Sequence, residues 1–95
     1  MAKTGKHSEK TLERQLQDLV KDRGGLCLKL LPFQFTGLPD RMVLLPHGTV
    51  VFCETKSTGD NPSPRQKLVH RKLRELGFKV LIINEPNKLN ELWLK

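Results

Sequence analysis

Residues 37–56 read GLPDRMVLLPHGTVVFCETK, and this stretch decides the fold of the 95-residue chain. Residues 42–45 and 49–53 are rich in apolar and β-branched side chains, and the residues between them, Pro46-His47-Gly48, have the composition of a tight turn. This pattern predicts a β-hairpin. Because both runs are almost continuously apolar, we expect the two strands to be covered on both faces.

The length of the turn determines which residues face each other across the hairpin. With a three-residue turn, Asp40 lies opposite Glu54, with Cβ atoms on the order of 5 Å apart. With a four-residue turn, Asp40 lies opposite Thr55 instead. Side chains two residues apart in a strand point to the same side, so Glu54 and Lys56 share a face in both cases.

A helix and a short strand precede the hairpin. Ser8 has the side chain of a helix N-cap, and the apolar residues after it recur with helical period: Leu12, Leu16, Leu19 and Val20. Gly24-Gly25 ends this helix, and residues 26–31 form an apolar run long enough for one strand. Residues 1–7 are basic and carry no pattern, which predicts a flexible tail.

A second helix and another strand follow the hairpin. Ser63-Pro64-Arg65-Gln66 places Ser at the N-cap, Pro at N1 and Gln at N3, which is a capping box, and this helix is expected to reach about Leu76. Residues 78–83 read as a buried strand and residues 87–95 as a short terminal helix. The order αβββαβ(α) predicts a single α/β domain over residues 1–95, with helices packed on a sheet.

Composition limits the class of protein. Seventeen Lys and Arg against ten Asp and Glu give a net charge of +7, which favours a polyanionic partner, nucleic acid before membrane. No apolar stretch reaches the roughly 18 residues of a membrane span. Cys27 and Cys53 lie in apolar runs and are expected to be reduced core residues of an intracellular protein. Charge alone leaves ribosomal-type binders, small regulators and nucleases open.

Asp40, Glu54 and Lys56 are the residues that indicate chemistry. Two neighbouring carboxylates cannot both stay ionised without a counter-charge, which Lys56 or a divalent cation could supply. Carboxylate oxygens suit Mg²⁺ or Mn²⁺ bound together with a phosphate, whereas the three histidines are too scattered for a zinc site. Such an ion would lower the pKa of a bound water, and Lys56 would hold that water or offset charge in the transition state.

Helical residues could complete this site. Glu13 lies at the edge of the apolar stripe of the first helix, so it can lean toward the sheet as a third carboxylate. Gln66 heads an inward-facing stripe and could hydrogen-bond an active-site group or a phosphate, with a capping role alone as the alternative. His70, one turn after Gln66, could approach DNA, but we expect a partly exposed helical histidine. Lys29 could either extend from a strand edge to solvent or contact a phosphate.

These motifs together resemble one known family. The combination resembles the VRR-NUC (virus-type replication-repair nuclease) domain of the PD-(D/E)XK nuclease superfamily, and its parts are Glu13, Gly37-Leu38-Pro39-Asp40, Glu54-Thr55-Lys56 and Gln66. The resemblance covers about residues 12–83. It implies a restriction-endonuclease-like αβββαβ core, with a mixed sheet flanked by helices.

The resemblance also implies a role for each of these residues. The implied metal ligands are Asp40, Glu54, the main-chain carbonyl of Thr55 and, as an outer or additional ligand, Glu13. Lys56 would be the catalytic lysine, and Gln66 would be an accessory residue that acts with the two carboxylates.

The function expected from this resemblance is that of a Mg²⁺- or Mn²⁺-dependent DNA endonuclease. Small standalone members of the family act as dimers on branched DNA, notably four-way (Holliday) junctions, so a homodimer that selects DNA by structure is expected. Two alternatives stay open: a non-catalytic nucleic-acid-binding module, or a nuclease subunit that requires a helicase partner. The expected location is the cytoplasm, including that of a host cell if the protein is encoded by a virus or phage.

Overall fold

The computed structural model describes residues 7–31, 33 and 35–94. It contains two α-helices and four strands, in the order α1 (Glu9–Asp22), β1 (Leu26–Lys29), β2 (Arg41–Leu45), β3 (Thr49–Thr55), α2 (Pro64–Glu75) and β4 (Lys79–Ile83). Two short 3-10 helices lie at Pro46–Gly48 and Pro86–Trp93. The αβββαβ order expected from the sequence is confirmed.

The four strands form one mixed sheet in the order β1-β2-β3-β4. The pairs β1/β2 and β2/β3 are antiparallel, whereas β3 and β4 run parallel. In the hairpin, Leu45 lies opposite Thr49 and Arg41 lies opposite Cys53. The three-residue turn is therefore the one formed, and it closes because His47 and Gly48 both adopt left-handed backbone angles, with φ of 70° and 76°.

Helix α1 covers one face of this sheet. Ser8 is its N-cap and accepts a hydrogen bond from the N–H of Thr11, as the sequence predicted. The apolar stripe of α1 packs into a single core, whose buried members are Leu12, Leu16, Val20, Val43, Val51, Cys53, Leu81, Ile83, Leu89 and Leu92. Each fully buried Leu or Ile stabilises the fold by roughly 1.5–3 kcal/mol.

Helix α2 covers the opposite face only in part. Ser63 and Gln66 form the predicted capping box, and Gly77 ends the helix with a φ of 99°. Because α2 packs against β4, the residues of the hairpin that face its side stay half-buried: Met42, Leu44, Val50 and Phe52. The expectation that both hairpin strands are covered on both faces is therefore wrong.

The two ends of the chain also differ from the expectation. Residues 1–6 of the predicted tail lie outside the described residues. His7 is not a tail residue, because its N–H donates to Thr58 Oγ1 at 2.8 Å and its carbonyl accepts from the Thr58 N–H. The terminal helix is a 3-10 helix that buries Leu89 and Leu92. In the part of the chain that is described, no helix is both long and apolar enough to cross a membrane.

Candidate active site

Glu54 is a buried carboxylate near the end of β3, with only 1% of its surface exposed. Its neighbour Cys53 belongs to the core under α1, and successive strand residues face opposite sides, so Glu54 points toward α2. Glu54 Oε2 accepts a hydrogen bond from Gln66 Nε2 at 2.9 Å and lies 3.3 Å from Lys56 Nζ. The prediction that Glu54 and Lys56 share a face is confirmed.

Asp40 lies beside Glu54, one residue before β2. Its main-chain carbonyl accepts from the Leu30 N–H at 2.8 Å, which extends the pairing of β1 and β2 by one residue. The side-chain Oδ2 accepts from the N–H and the hydroxyl of Thr55, at 3.1 and 3.2 Å. These bonds fix the Asp40 carboxylate next to the end of β3, as the three-residue turn requires.

The environment of Glu54 opposes its ionisation. Burial, and next the negative charge of Asp40, raise the pKa of Glu54 to about 7, although the Lys56 ammonium and the Gln66 hydrogen bond lower it. The charge of Lys56 therefore compensates the pair only in part. A further cation beside the two carboxylates would remove the remaining repulsion.

One oxygen of this carboxylate is left without a partner. Glu54 Oε1 is buried and accepts no hydrogen bond from any described residue. His70 Nε2 lies 3.9 Å from it, is also buried, and has no hydrogen-bond partner among these residues. His70 follows Gln66 by one helical turn and so lies on the same side of α2. It is 1% exposed, so the expectation of a partly exposed histidine is wrong. Burial, helped by the charge of Arg74, lowers the pKa of His70.

Glu13 is not gathered with the other two carboxylates. Its Oε2 lies 3.0 Å from Arg41 Nη2 and accepts from Arg41 Nε at 3.3 Å. Arg41 faces Cys53 across the hairpin and thus lies on the α1 side of the sheet, whereas Glu54 points to the α2 side. Among the described residues, no three His, Cys, Asp or Glu side chains are grouped closely enough to hold a metal ion. The structure pairs Glu13 with Arg41 instead.

The acidic residue of α1 whose charge is felt at the site is Glu9, in the first turn of the helix. The pKa of Glu9 is raised by desolvation and next by the charge of Asp40, whereas Lys56 lowers it. Glu9 comes near these residues because His7 pairs with Thr58, in the loop after β3. That long-range pairing has no local sequence signal, which is why Glu9 was missed.

The donor set suits a small, hard cation. Glu54 Oε1 is a buried oxygen without a hydrogen-bond partner in the described chain, and Asp40 accepts its two side-chain hydrogen bonds through Oδ2 alone. Each carboxylate therefore keeps one oxygen for a ligand. Mg²⁺ is usually held by one or two carboxylates together with water and substrate phosphates, so two carboxylates suffice. The residues present fit Mg²⁺ or Mn²⁺.

Comparisons with known proteins identify chains that share this fold and part of this sequence. No family model matches the sequence. The chain is 36% identical over 79 residues to the "Putative nuclease p44" of Acyrthosiphon pisum secondary endosymbiont phage 1. This alignment covers 83% of this chain and 85% of that protein. A solved structure described as a VRR_NUC domain is 26% identical, with a TM-score of 0.81 over 90% of this chain and 95% of its own. With both its sequence and its fold shared in this way, the chain belongs to the VRR-NUC family of nucleases.

Proposed function

We propose that this nuclease is a Mg²⁺- or Mn²⁺-dependent endonuclease that hydrolyses phosphodiester bonds in branched DNA. One observation carries the proposal: Glu54, beside Asp40, has a buried oxygen with no hydrogen-bond partner among the described residues, and the ammonium of Lys56 lies 3.3 Å from its other oxygen. A protein that only bound DNA would gain nothing from two carboxylates at this position, because they repel phosphates.

The metal ion would be held by Asp40 and Glu54, together with the main-chain carbonyl of Thr55. When bound, such an ion polarises a phosphoryl oxygen and lowers the pKa of a coordinated water. The protein contributes the positions of the ligands. Asp40 is held by its two hydrogen bonds to Thr55, and Glu54 is held by Gln66.

Lys56 is the proposed catalytic lysine. Its ammonium lies against Glu54 at the end of β3 and is still partly exposed, so it can reach a substrate. There it can hydrogen-bond the attacking water, or offset the negative charge that develops on the phosphoryl group in the transition state. Gln66 keeps the Glu54 carboxylate in place and is a positioning residue.

Charge supports DNA as the substrate. The chain carries a net charge of +7, and exposed cations line the helix next to the site: Arg65, Lys67, Arg71 and Lys72. Such residues bind phosphates without reading bases, which favours selection by DNA shape. A two-fold homodimer would present two equivalent sites to a four-way junction, whose symmetry it matches. Since the similar nuclease is encoded by a phage, we place the activity inside a host cell.

Cleavage assays on defined DNA structures test this proposal. Purified protein is incubated with four-way junction, flap, nicked, duplex and single-stranded DNA, with Mg²⁺, Mn²⁺ or EDTA. We expect the wild type to cleave the junction and EDTA to abolish this cleavage. We expect no cleavage by Glu54→Ala or by Lys56→Ala. Lys88→Ala is the matched control, because Lys88 lies 4.0 Å from Glu91 in the C-terminal 3-10 helix, which contributes no residue to the proposed site.

Three outcomes would contradict parts of the proposal. Cleavage that persists in EDTA, or that survives both substitutions, would exclude the metal-dependent mechanism. Tight binding without cleavage of any substrate would favour a non-catalytic module or a subunit that needs a helicase partner. A monomer in light scattering at micromolar concentration would exclude the dimer.

A further inference from the structure

His70 is a buried polar side chain at the site to which the proposed mechanism gives no role. Its Nε2 atom lies 3.9 Å from Glu54 Oε1, and neither atom has a hydrogen-bond partner among the described residues. Most buried polar atoms in native proteins are hydrogen-bonded, and a pair left open commonly marks a functional site. The two atoms without partners are therefore neighbours.

The two oxygens of Glu54 have different surroundings. Oε2 accepts from Gln66 Nε2 and lies within reach of Lys56 Nζ. A carboxylate oxygen has about two lone-pair sites, so these two donors occupy Oε2. Oε1 is therefore the oxygen that remains for a metal ion, and His70 Nε2 is the polar group beside it.

Helix α2 supplies one side chain beside each oxygen of this carboxylate. Gln66 and His70 are four residues apart and lie on one side of the helix, where Gln66 contacts Oε2 and His70 approaches Oε1. The 3.9 Å distance exceeds a hydrogen bond by roughly 1 Å, so a small rotation of the carboxylate closes it. When Glu54 is ionised, as a metal ligand must be, the imidazole nitrogen that faces its oxygen has to carry the hydrogen, because two lone pairs would repel each other.

We propose that His70 is a positioning residue for the metal site. Its Nε2–H donates to one lone pair of Glu54 Oε1 and leaves the other lone pair for the ion shared with Asp40. This inference rests on the proposed function, since it requires that an ion binds there. Hydrogen bonds to metal-ligating side chains typically change metal affinity or activity by about 10- to 100-fold.

Calorimetric titration with Mn²⁺ tests this role without any cleavage step. His70→Leu removes the donor at similar volume, whereas His70→Gln keeps an N–H donor at a comparable reach. We expect the Leu variant to bind Mn²⁺ about 10- to 100-fold more weakly than the wild type, and the Gln variant to recover most of the affinity. Val69→Ala is the control for packing, because Val69 is buried in α2 without a polar group.

Each result has a defined meaning. Equal Mn²⁺ affinity in the wild type and in His70→Leu would overturn the positioning role. Equally weak binding in the Leu and Gln variants, with folded proteins by circular dichroism, would also overturn it, because the donor would then not matter. If the wild type bound no Mn²⁺, or if Glu54→Gln bound it as well as the wild type, the proposed metal site itself would fail.

Discussion

The side-chain amide of Gln66 connects the start of α2 to Glu54. Its oxygen accepts from the Ser63 N–H at 2.9 Å, and its nitrogen donates to Glu54 Oε2, also at 2.9 Å. The sequence offered a capping role and an active-site role for Gln66 as alternatives. Because one amide carries both an acceptor and a donor, Gln66 caps the helix and contacts Glu54 at the same time.

Gln66→Glu separates these two roles. A Glu at N3 preserves the capping box, but it places a negative oxygen against Glu54 where the donor was. We expect cleavage to fall by about 10- to 100-fold in single-turnover assays. Ser63→Ala is the matched control, because it loses about 1 kcal/mol of helix capping and keeps the donor. If both variants lost the same activity, Gln66 would act only through the helix start.

Glu54→Gln should stabilise the metal-free protein in a pH-dependent way. The folded protein holds the Glu54 proton up to about pH 7, whereas the ordinary pKa is 4.5, so ionisation of Glu54 lowers stability as the pH rises through this window. At pH 8 in EDTA, we expect a gain of roughly 1–3 kcal/mol in the free energy of unfolding by urea. At pH 4.5 the gain should be nearly absent, and a gain independent of pH would refute the explanation.

Gly37→Ala should damage the loop that leads to Asp40. Gly37 has a φ of 88°, and a Cβ there would lie 2.8 Å from Val69 Cγ2 and 3.0 Å from the Arg65 carbonyl. Gly48→Ala is the control, because its φ of 76° is similar but its Cβ would contact nothing within 4 Å. We expect the control to lose about 1 kcal/mol of stability and Gly37→Ala to lose clearly more. Equal losses would mean that the close approach is harmless.

Substitution of Glu9 should weaken metal binding, whereas substitution of Glu13 should not. Glu9→Gln removes a negative charge near Asp40, so we expect Mn²⁺ affinity to fall about two- to fivefold, as for a partly screened charge pair. Glu13→Gln breaks the pair with Arg41 and should leave the affinity almost unchanged. A larger loss in Glu13→Gln would return the role of outer ligand to Glu13.

DNA binding should weaken steeply with salt. If the cations of α2 contact phosphates, Lys67→Ala and Arg71→Ala should each lower the slope of log K against log salt by about 1 and weaken binding to all DNA structures alike. Lys88→Ala again serves as the control and should keep the wild-type slope. Fluorescence anisotropy in 50–200 mM salt measures the slopes, and an affinity insensitive to salt would contradict recognition through phosphates.

Local patterns predicted much of this site. The turn composition of Pro46-His47-Gly48 predicted the hairpin and left two registers open, of which the structure forms the one with a three-residue turn. Strand alternation placed Lys56 on the same face as Glu54 in either register. Ser63 and Gln66 marked the start of α2 to the residue. These features depend on neighbours in the chain, so the sequence pattern carries them.

Glu13 and His70 differ from the expectation because their positions depend on packing between distant elements. The edge position of Glu13 on α1 did not show which face of the sheet the side chain would meet, and Arg41 captured it on the side away from Glu54. His70 has the periodicity of an ordinary helical residue, and its burial depends on α2 lying over the end of β3. No local pattern contains either arrangement.

The buried oxygen of Glu54 has no hydrogen-bond partner among the described residues, so it destabilises the fold whenever no ion is bound to it. An ion that binds the folded chain but not the unfolded one adds its binding free energy to the stability of the fold. Under the proposed function, removal of the ion by a chelator would both abolish DNA cleavage and make the protein more susceptible to proteolysis. The lifetime of the protein would then follow the supply of its cation.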